Sequence, residues 1–205
     1  MTLQVVDQNN KKVSEIDVSK LTSDKVNKAI LYYAVKAVRN GLRRGTASAK
    51  DRSDVCKTNK KIYKQKGTGN ARHASRKANI FVGGGSAHGP KPRSYVEKVN
   101  KKFKKASYRE VIKYLIQTSN LKIVSNLTFD KPSTKEAGKI LGKLSIKKAL
   151  VVLPQDNING VLSFRNLKNV AVAHENNINV YDFLKYETVV ITDKGFESLK
   201  ERYCI

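Results

Sequence analysis

Ala149-Leu150-Val151-Val152-Leu153 is an unbroken apolar run, and the chain on either side repeats the theme. Leu121-Lys122-Ile123-Val124, Val170-Ala171-Val172-Ala173 and Thr188-Val189-Val190-Ile191 are further short runs of the same kind. Such lengths and residue types suit strands. Between and after them the apolar spacing becomes helical, which predicts helices over residues 133–144, 158–167, 179–186 and 193–203. Ala137, Ile140, Leu141 and Leu144 stripe the first of these, which opens on the capping-box pair Ser133 and Glu136. Phe196, Leu199 and Tyr203 share one face of the last. Strands alternating with helices imply right-handed crossovers and an α/β fold, a mainly parallel sheet flanked by helices.

Toward the N-terminus, Tyr108, Val111, Ile112, Leu115 and Ile116 mark another helix, beginning near Asn100. The first residues read as short strands at Leu3 to Val6 and Val13 to Ile16, with a turn at Asn9-Asn10. A helix follows over residues 24–40, with Thr22, Ser23 and Asp24 offering an N-cap and Gly41 and Gly45 as stops. Its expected buried stripe is Val26, Ile30, Tyr33 and Ala37, widened by Ala34 and Val38.

Periodicity fails between these parts. From residue 43 to 79 only Val55, Cys56, Ile62 and Tyr63 are apolar and larger than alanine. So little apolar surface does not offset the entropy of ordering the chain, so the segment is expected to be disordered when free or ordered by what it binds. Residues 81–92, Phe-Val-Gly-Gly-Gly-Ser-Ala-His-Gly-Pro-Lys-Pro, hold too many Gly and Pro for a regular element. The predicted organisation is a globular α/β domain of residues 1–42 and 97–205. Residues 43–96 form a long extended basic loop inserted between the first and second long helices. An insertion of about 50 structureless residues is expected only where it is functional.

Charge points to that function. Residues 36–105 carry 21 of the 41 Lys and Arg in this 205-residue chain, against only Asp51, Asp54 and Glu97. Of the net charge of +24, +18 is therefore gathered on one stretch, as on a surface that meets a polyanion. A membrane is a poor candidate, since no run approaches the roughly 18 apolar residues of a spanning helix and Trp is absent. Met1-Thr2-Leu3-Gln4-Val5 lacks the charged and apolar regions of a secretory signal. Cys56 and Cys204 have neither CxxC spacing nor nearby histidine pairs, so no disulfide or zinc site is expected and a reducing compartment fits.

The strongest candidate site is Lys60-Lys61-Ile62-Tyr63-Lys64-Gln65-Lys66-Gly67-Thr68-Gly69-Asn70-Ala71-Arg72-His73. Its cations can neutralise phosphates, its glycines allow close backbone approach, and Tyr63 and His73 can stack on unpaired bases. The bland alternative is a solvated charged linker. Gly67-Thr68-Gly69 is no dinucleotide or phosphate-loop fingerprint, because the third glycine, the preceding strand and the GK[ST] ending are all missing. Ser86 and His88 lack the GxSxG elbow of a hydrolase. His174 reads as a satisfied surface histidine, and Asp182, Asp193 and Glu197 as helix-end charges. No catalytic residue, metal ligand or cofactor site is predicted. Lys101, Lys102, Lys104 and Lys105 crowd the start of a helix, where positive charge opposes the dipole unless an external anion compensates.

Several of these segments together resemble the ribosomal protein L4 (uL4) family, in its bacterial or organellar form. The resemblance is carried by Arg43-Arg44-Gly45-Thr46-Ala47-Ser48, by residues 64–73 (Lys-Gln-Lys-Gly-Thr-Gly-Asn-Ala-Arg-His), and by Ile80-Phe81-Val82-Gly83-Gly84-Gly85. Gly89-Pro90-Lys91-Pro92-Arg93-Ser94-Tyr95 and Lys98-Val99-Asn100-Lys101-Lys102 add to it, with weaker echoes at Arg165-Asn166-Leu167 and Asn179-Val180-Tyr181-Asp182. It implies a structural constituent of the large ribosomal subunit, not an enzyme, that supports assembly and binds 23S-type rRNA. Neighbouring large-subunit proteins are implied partners, in the cytoplasm or an organelle matrix. The rRNA-binding residues so implied are Arg43, Arg44, Lys50, Arg52, Lys57, Lys60, Lys61, Tyr63, Lys64, Gln65, Lys66, Gly67, Thr68, Gly69, Arg72, His73, Arg76 and Lys77. Lys91, Arg93, Tyr95, Lys98, Lys101, Lys102, Lys104 and Lys105 complete the set. Tyr63 through Gly69 would form a loop tip facing the nascent peptide in the exit tunnel. Tyr63 stands where the family usually has Trp, and Asn70 where it usually has Arg, so the aromatic platform is smaller and one bidentate guanidinium is lost.

Overall fold

The computed structural model describes residues 2–22 and 25–203. Strands β1 (Thr2–Val6) and β2 (Lys12–Asp17) precede helices α1 (Ser19–Thr22) and α2 (Lys28–Gly41). After a long interval come α3 (Lys101–Gln117), β3 (Leu121–Val124), α4 (Thr134–Lys143), β4 (Ala149–Leu153) and α5 (Ile158–Arg165). The chain ends through β5 (Val170–His174), α6 (Val180–Lys185), β6 (Thr188–Thr192) and α7 (Asp193–Tyr203). By its contacts the chain divides into two compact units, residues 1–40 with 97–205, and residues 41–96.

The first unit is the α/β part. Its six strands lie in the order β2-β1-β3-β6-β4-β5. All neighbours are parallel except the hairpin pair β1 and β2 at one edge. Every residue of β4 is buried, as a strand covered on both faces requires. Alternation along β4 sorts the core into two layers. Leu150 and Val152 pack with Val111, Ile112, Leu115, Phe183, Phe196 and Leu199 on one side. Ala149, Val151 and Leu153 pack with Ala137, Ile140, Leu141, Leu144 and Phe164 on the other.

Helix ends follow local chemistry. The Ser133 side chain accepts from the Glu136 amide at the start of α4, and Asn179 with Asp182 forms a capping box at α6. Ser23 and Asp24, two of the three residues expected to cap the first long helix, lie outside the described residues, and Thr22 belongs to α1. The described start of α2 is instead set by Asn27, whose Oδ1 accepts from the amides of Ala29 and Ile30 at 3.1 and 3.4 Å. Asn27's own amide donates to Glu110 of α3 at 2.7 Å. The inward face of α2 also differs from the expected stripe: Leu31 and Ala34 are its buried residues, while Tyr33 is exposed. His174, expected to be a satisfied surface residue, is half-buried at the end of β5 and its Nδ1 has no protein partner.

Candidate nucleic-acid interface

Residues 42–100 contain no helix or strand. Within residues 41–96 the outgoing and returning stretches are joined by backbone hydrogen bonds instead. Arg93 donates to the Gly45 carbonyl at 3.1 Å, Ala49 to Pro90 at 2.9 Å, and Ser86 to Lys50 at 2.8 Å. Farther along, Ile62 donates to Ala74 at 2.9 Å, while Gly85 donates to Lys77 at 3.0 Å within the returning stretch. The segment thus doubles back about residues 63–71, where the Tyr63 hydroxyl donates to the Ala71 carbonyl.

Glycine makes this approach feasible in two distinct ways. A Cβ on Gly85 would lie 2.2 Å from the Arg52 nitrogen, and one on Gly45 would lie 1.9 Å from the Arg93 oxygen, so a side chain would force the two stretches apart. Gly67 and Gly69 meet nothing, but their φ values of 83° and 69° are left-handed and turn the chain at its far end.

The cationic residues expected at the interface fall into distinct groups here. Arg43, Arg44, Lys50, Arg52, Lys57, Lys60, Lys61, Lys64, Lys66, Arg72, Arg76, Arg93 and Lys98 are exposed, and Lys77 is half-buried. Two are committed to carbonyl partners inside the segment: Lys57 Nζ donates to the Val82 carbonyl at 3.3 Å, and Lys61 donates to Gln65. Lys91 is held by two carboxylates, Asp51 at 2.9 Å and Asp54 at 3.2 Å. Those hydrogen bonds, with Asp51 first, raise its pKa. Asp54 is lowered, chiefly by the Asp51 amide and then by Lys91. Arg43 lies 3.8 Å over the Tyr95 ring and Arg93 4.7 Å from it, so three of the expected ligands form one stack. A hydrogen bond to Arg93 is the leading cause that lowers the Tyr95 phenol.

The two aromatic residues at the far end are already occupied in part. His73 sits edge-on to Phe81 with ring centroids 5.1 Å apart, and Tyr63 is half-buried. His73 nevertheless lines a cleft of about 580 Å³ with Arg52, Arg72, Lys77 and Asn59, where three cations surround a space large enough for a phosphate.

The α/β unit has a basic cleft of its own. No acidic residue lies in the first turn of α3, and Asn100 makes no side-chain cap there. Lys101, Lys104 and Lys105 line a cleft of about 560 Å³ with Arg202 and Asn176 to Asn179, while Lys102 is exposed nearby in sequence. Arg202 donates to the Asn176 carbonyl at 3.2 Å. Tyr108 braces the wall, stacked on Tyr203 at 3.9 Å and donating to Ile178 at 2.6 Å. Burial pushes its phenol up, so it stays protonated. Arg202 carried no signal in the sequence, because it reaches this cleft only through the fold.

Among the described residues no group of three His, Cys, Asp or Glu could hold a metal ion, and no helix is long and apolar enough to cross a membrane. Fold and site together define a basic α/β protein whose cations gather on a segment without helix or strand. The profile of the ribosomal protein L4/L1 family matches residues 16–202, and the chain belongs to that family. It is 38% identical to the large ribosomal subunit protein uL4 of Geotalea uraniireducens, covering 97% of this chain and 96% of that one. The uL4 proteins of Cytophaga hutchinsonii and Phytoplasma mali are 42% and 34% identical, covering 85% and 96% of this chain and the same shares of theirs.

Proposed function

We propose that the protein is a structural constituent of the large ribosomal subunit, bound to 23S-type rRNA on cytoplasmic ribosomes, with no chemistry of its own. The observation that carries this reading is the pairing of family membership with 21 cations against three acids over residues 36–105. The names of the relatives, proteins of the large ribosomal subunit at near full-length coverage, support the same assignment.

In this reading residues 43–96 act as an extended rRNA-binding loop inserted in the α/β domain. Lysines neutralise phosphate as point charges and arginines clamp it with two parallel hydrogen bonds. Recognition follows RNA shape more than base sequence. Lys91, Arg43, Arg93 and Tyr95 shape the loop through their contacts with one another and with Asp51 and Asp54, while the outward cations meet RNA. Lys101, Lys102, Lys104 and Lys105 bind phosphate at the loop's root, and Tyr63 through Gly69 face the nascent peptide.

The test is sedimentation of the tagged chain from cell lysate through sucrose gradients at low and moderate salt. Co-migration with the large subunit and its precursors at both salts is expected. Release at moderate salt overturns the assignment and leaves a general nucleic-acid binder.

A further inference from the structure

Helix α2 has an outward face that the reading above does not use. Its sequence, Lys-Ala-Ile-Leu-Tyr-Tyr-Ala-Val-Lys-Ala-Val-Arg-Asn-Gly, contains no acid. Leu31 and Ala34 turn inward. At 100° per residue the opposite side is centred near Tyr32, with Lys28 one turn before it, Lys36 one turn after and Arg39 two turns after. Tyr33 flanks the same side.

Both tyrosines are more exposed than not, Tyr32 at 64% and Tyr33 at 57%, and their rings meet edge to face with centroids 5.4 Å apart. Lys28, Lys36 and Arg39 are exposed beside them. Lys36 has one acidic neighbour, Glu97, at 3.9 Å, with both side chains nearly half exposed. Two large aromatic rings held in solvent leave apolar surface uncovered, and the cations around them repel a basic partner and would be desolvated without compensation by a purely apolar one. An unpaired nucleobase matches both features: its ring stacks on a tyrosine while its phosphates meet the cations one turn away.

We propose that the outward face of α2 is a second RNA-binding surface, on which unpaired bases stack on Tyr32 and Tyr33 while Lys28, Lys36 and Arg39 hold the flanking phosphates. It gives the α/β unit an RNA contact beyond the α3 cleft and rests on the ribosomal reading only for which RNA is bound. The same residues explain why the helix carries two adjacent tyrosines that serve neither layer of the core.

The test places photoreactive p-azidophenylalanine at position 32, and separately at position 33, in the full tagged chain expressed in cells. After irradiation, the expected product is a heavier band that ribonuclease removes. The triple variant Lys28→Gln, Lys36→Gln, Arg39→Gln should lower that product at least fivefold while leaving the thermal midpoint unchanged. Products that only protease removes assign the face to a protein partner and overturn the proposal, as does the absence of any product at both positions. Sedimentation of the same chains reports separately on the ribosomal reading. RNA-linked product from chains outside the large subunit keeps this face and sinks that reading, and subunit-bound chains without it do the reverse.

Discussion

Val151 and Gly85 are both buried, for opposite reasons. Val151 is covered by apolar side chains from two helices and the neighbouring strands, so its burial is hydrophobic. Gly85 is covered because the backbone at Asp51 and Arg52 comes to where its side chain would be. The α/β unit turns its side chains inward and lets them exclude water. Residues 41–96 bring backbones together and leave their side chains outside. The first arrangement stores its stability internally, whereas the second depends on hydrogen bonds and exposed ion pairs, each of small net worth in water. A polyanion bound along residues 41–96 adds to that second kind of stability by mass action on the bound form.

This contrast can be broken first in the core. Phe196→Ala should cost about 3–5 kcal/mol, because the ring is buried between α7 and the sheet. The thermal midpoint should then fall by roughly 10 °C. Gly85→Ala should leave that main transition in place while hydrogen exchange at the Ser86 and Gly85 amides accelerates, since their bonds to Lys50 and Lys77 open. Loss of the main transition in Gly85→Ala would show that the two parts share one source of stability.

A second experiment sharpens the electrostatic side. Replacing Lys60, Lys64 and Lys66 with Ala should make the slope of log affinity for rRNA against log salt shallower by about 2, at roughly 0.7 per phosphate lost. Circular dichroism should not change. An unchanged slope would show that these lysines do not meet phosphate.

The smallest effect concerns the closure at Asp51, Asp54 and Lys91. Asp54 is lowered below its ordinary 3.8, so its contribution is complete above that pH and disappears as pH falls through the lower folded value. Protection of the Asp51 amide, which donates to Asp54 at 3.1 Å, should therefore be lost only in acid. Lys91→Ala should move the loss toward higher pH. Lys91 itself is raised, so its share is present below its ordinary 10.5 and lost only at still higher pH. Protection that ignores both changes would leave the carboxylates out of the closure.

The legible parts of this molecule are those whose order is periodic. The runs at β3, β4, β5 and β6 and the stripes of α3, α4 and α7 reveal themselves because one repeated spacing serves one buried face. The edge hairpin was also visible, through turn residues at Asn9 and Asn10. Helix α1 was not, since four residues carry no period. Tyr33 falls outside the buried face of α2 because Leu31, absent from the expected stripe, sets the inward direction together with Ala34. Asn27 carries no stronger cap signal in the sequence than the Thr-Ser-Asp cluster a few residues earlier. In residues 41–96 composition announced a polyanion partner, but no local rule pairs Lys91 with Asp51 and Asp54, or Arg43 with Tyr95. Those contacts join residues 37 or more positions apart in a stretch that has no period to extrapolate. Arg202 in the α3 cleft was hidden for the same reason.

The order of strands in the sheet sets a timetable for synthesis. β3 and β4 do not pair with each other; β6 lies between them. The strand that joins the two halves is therefore the last of the six in chain order. Until Thr188–Thr192 emerges, β1, β2 and β3 on one side and β4 and β5 on the other have no shared hydrogen bonds. The basic segment, residues 41–96, is translated well before that strand. A chain stopped just before β6 would keep most of its cations and lose the strand that joins the two halves of the sheet.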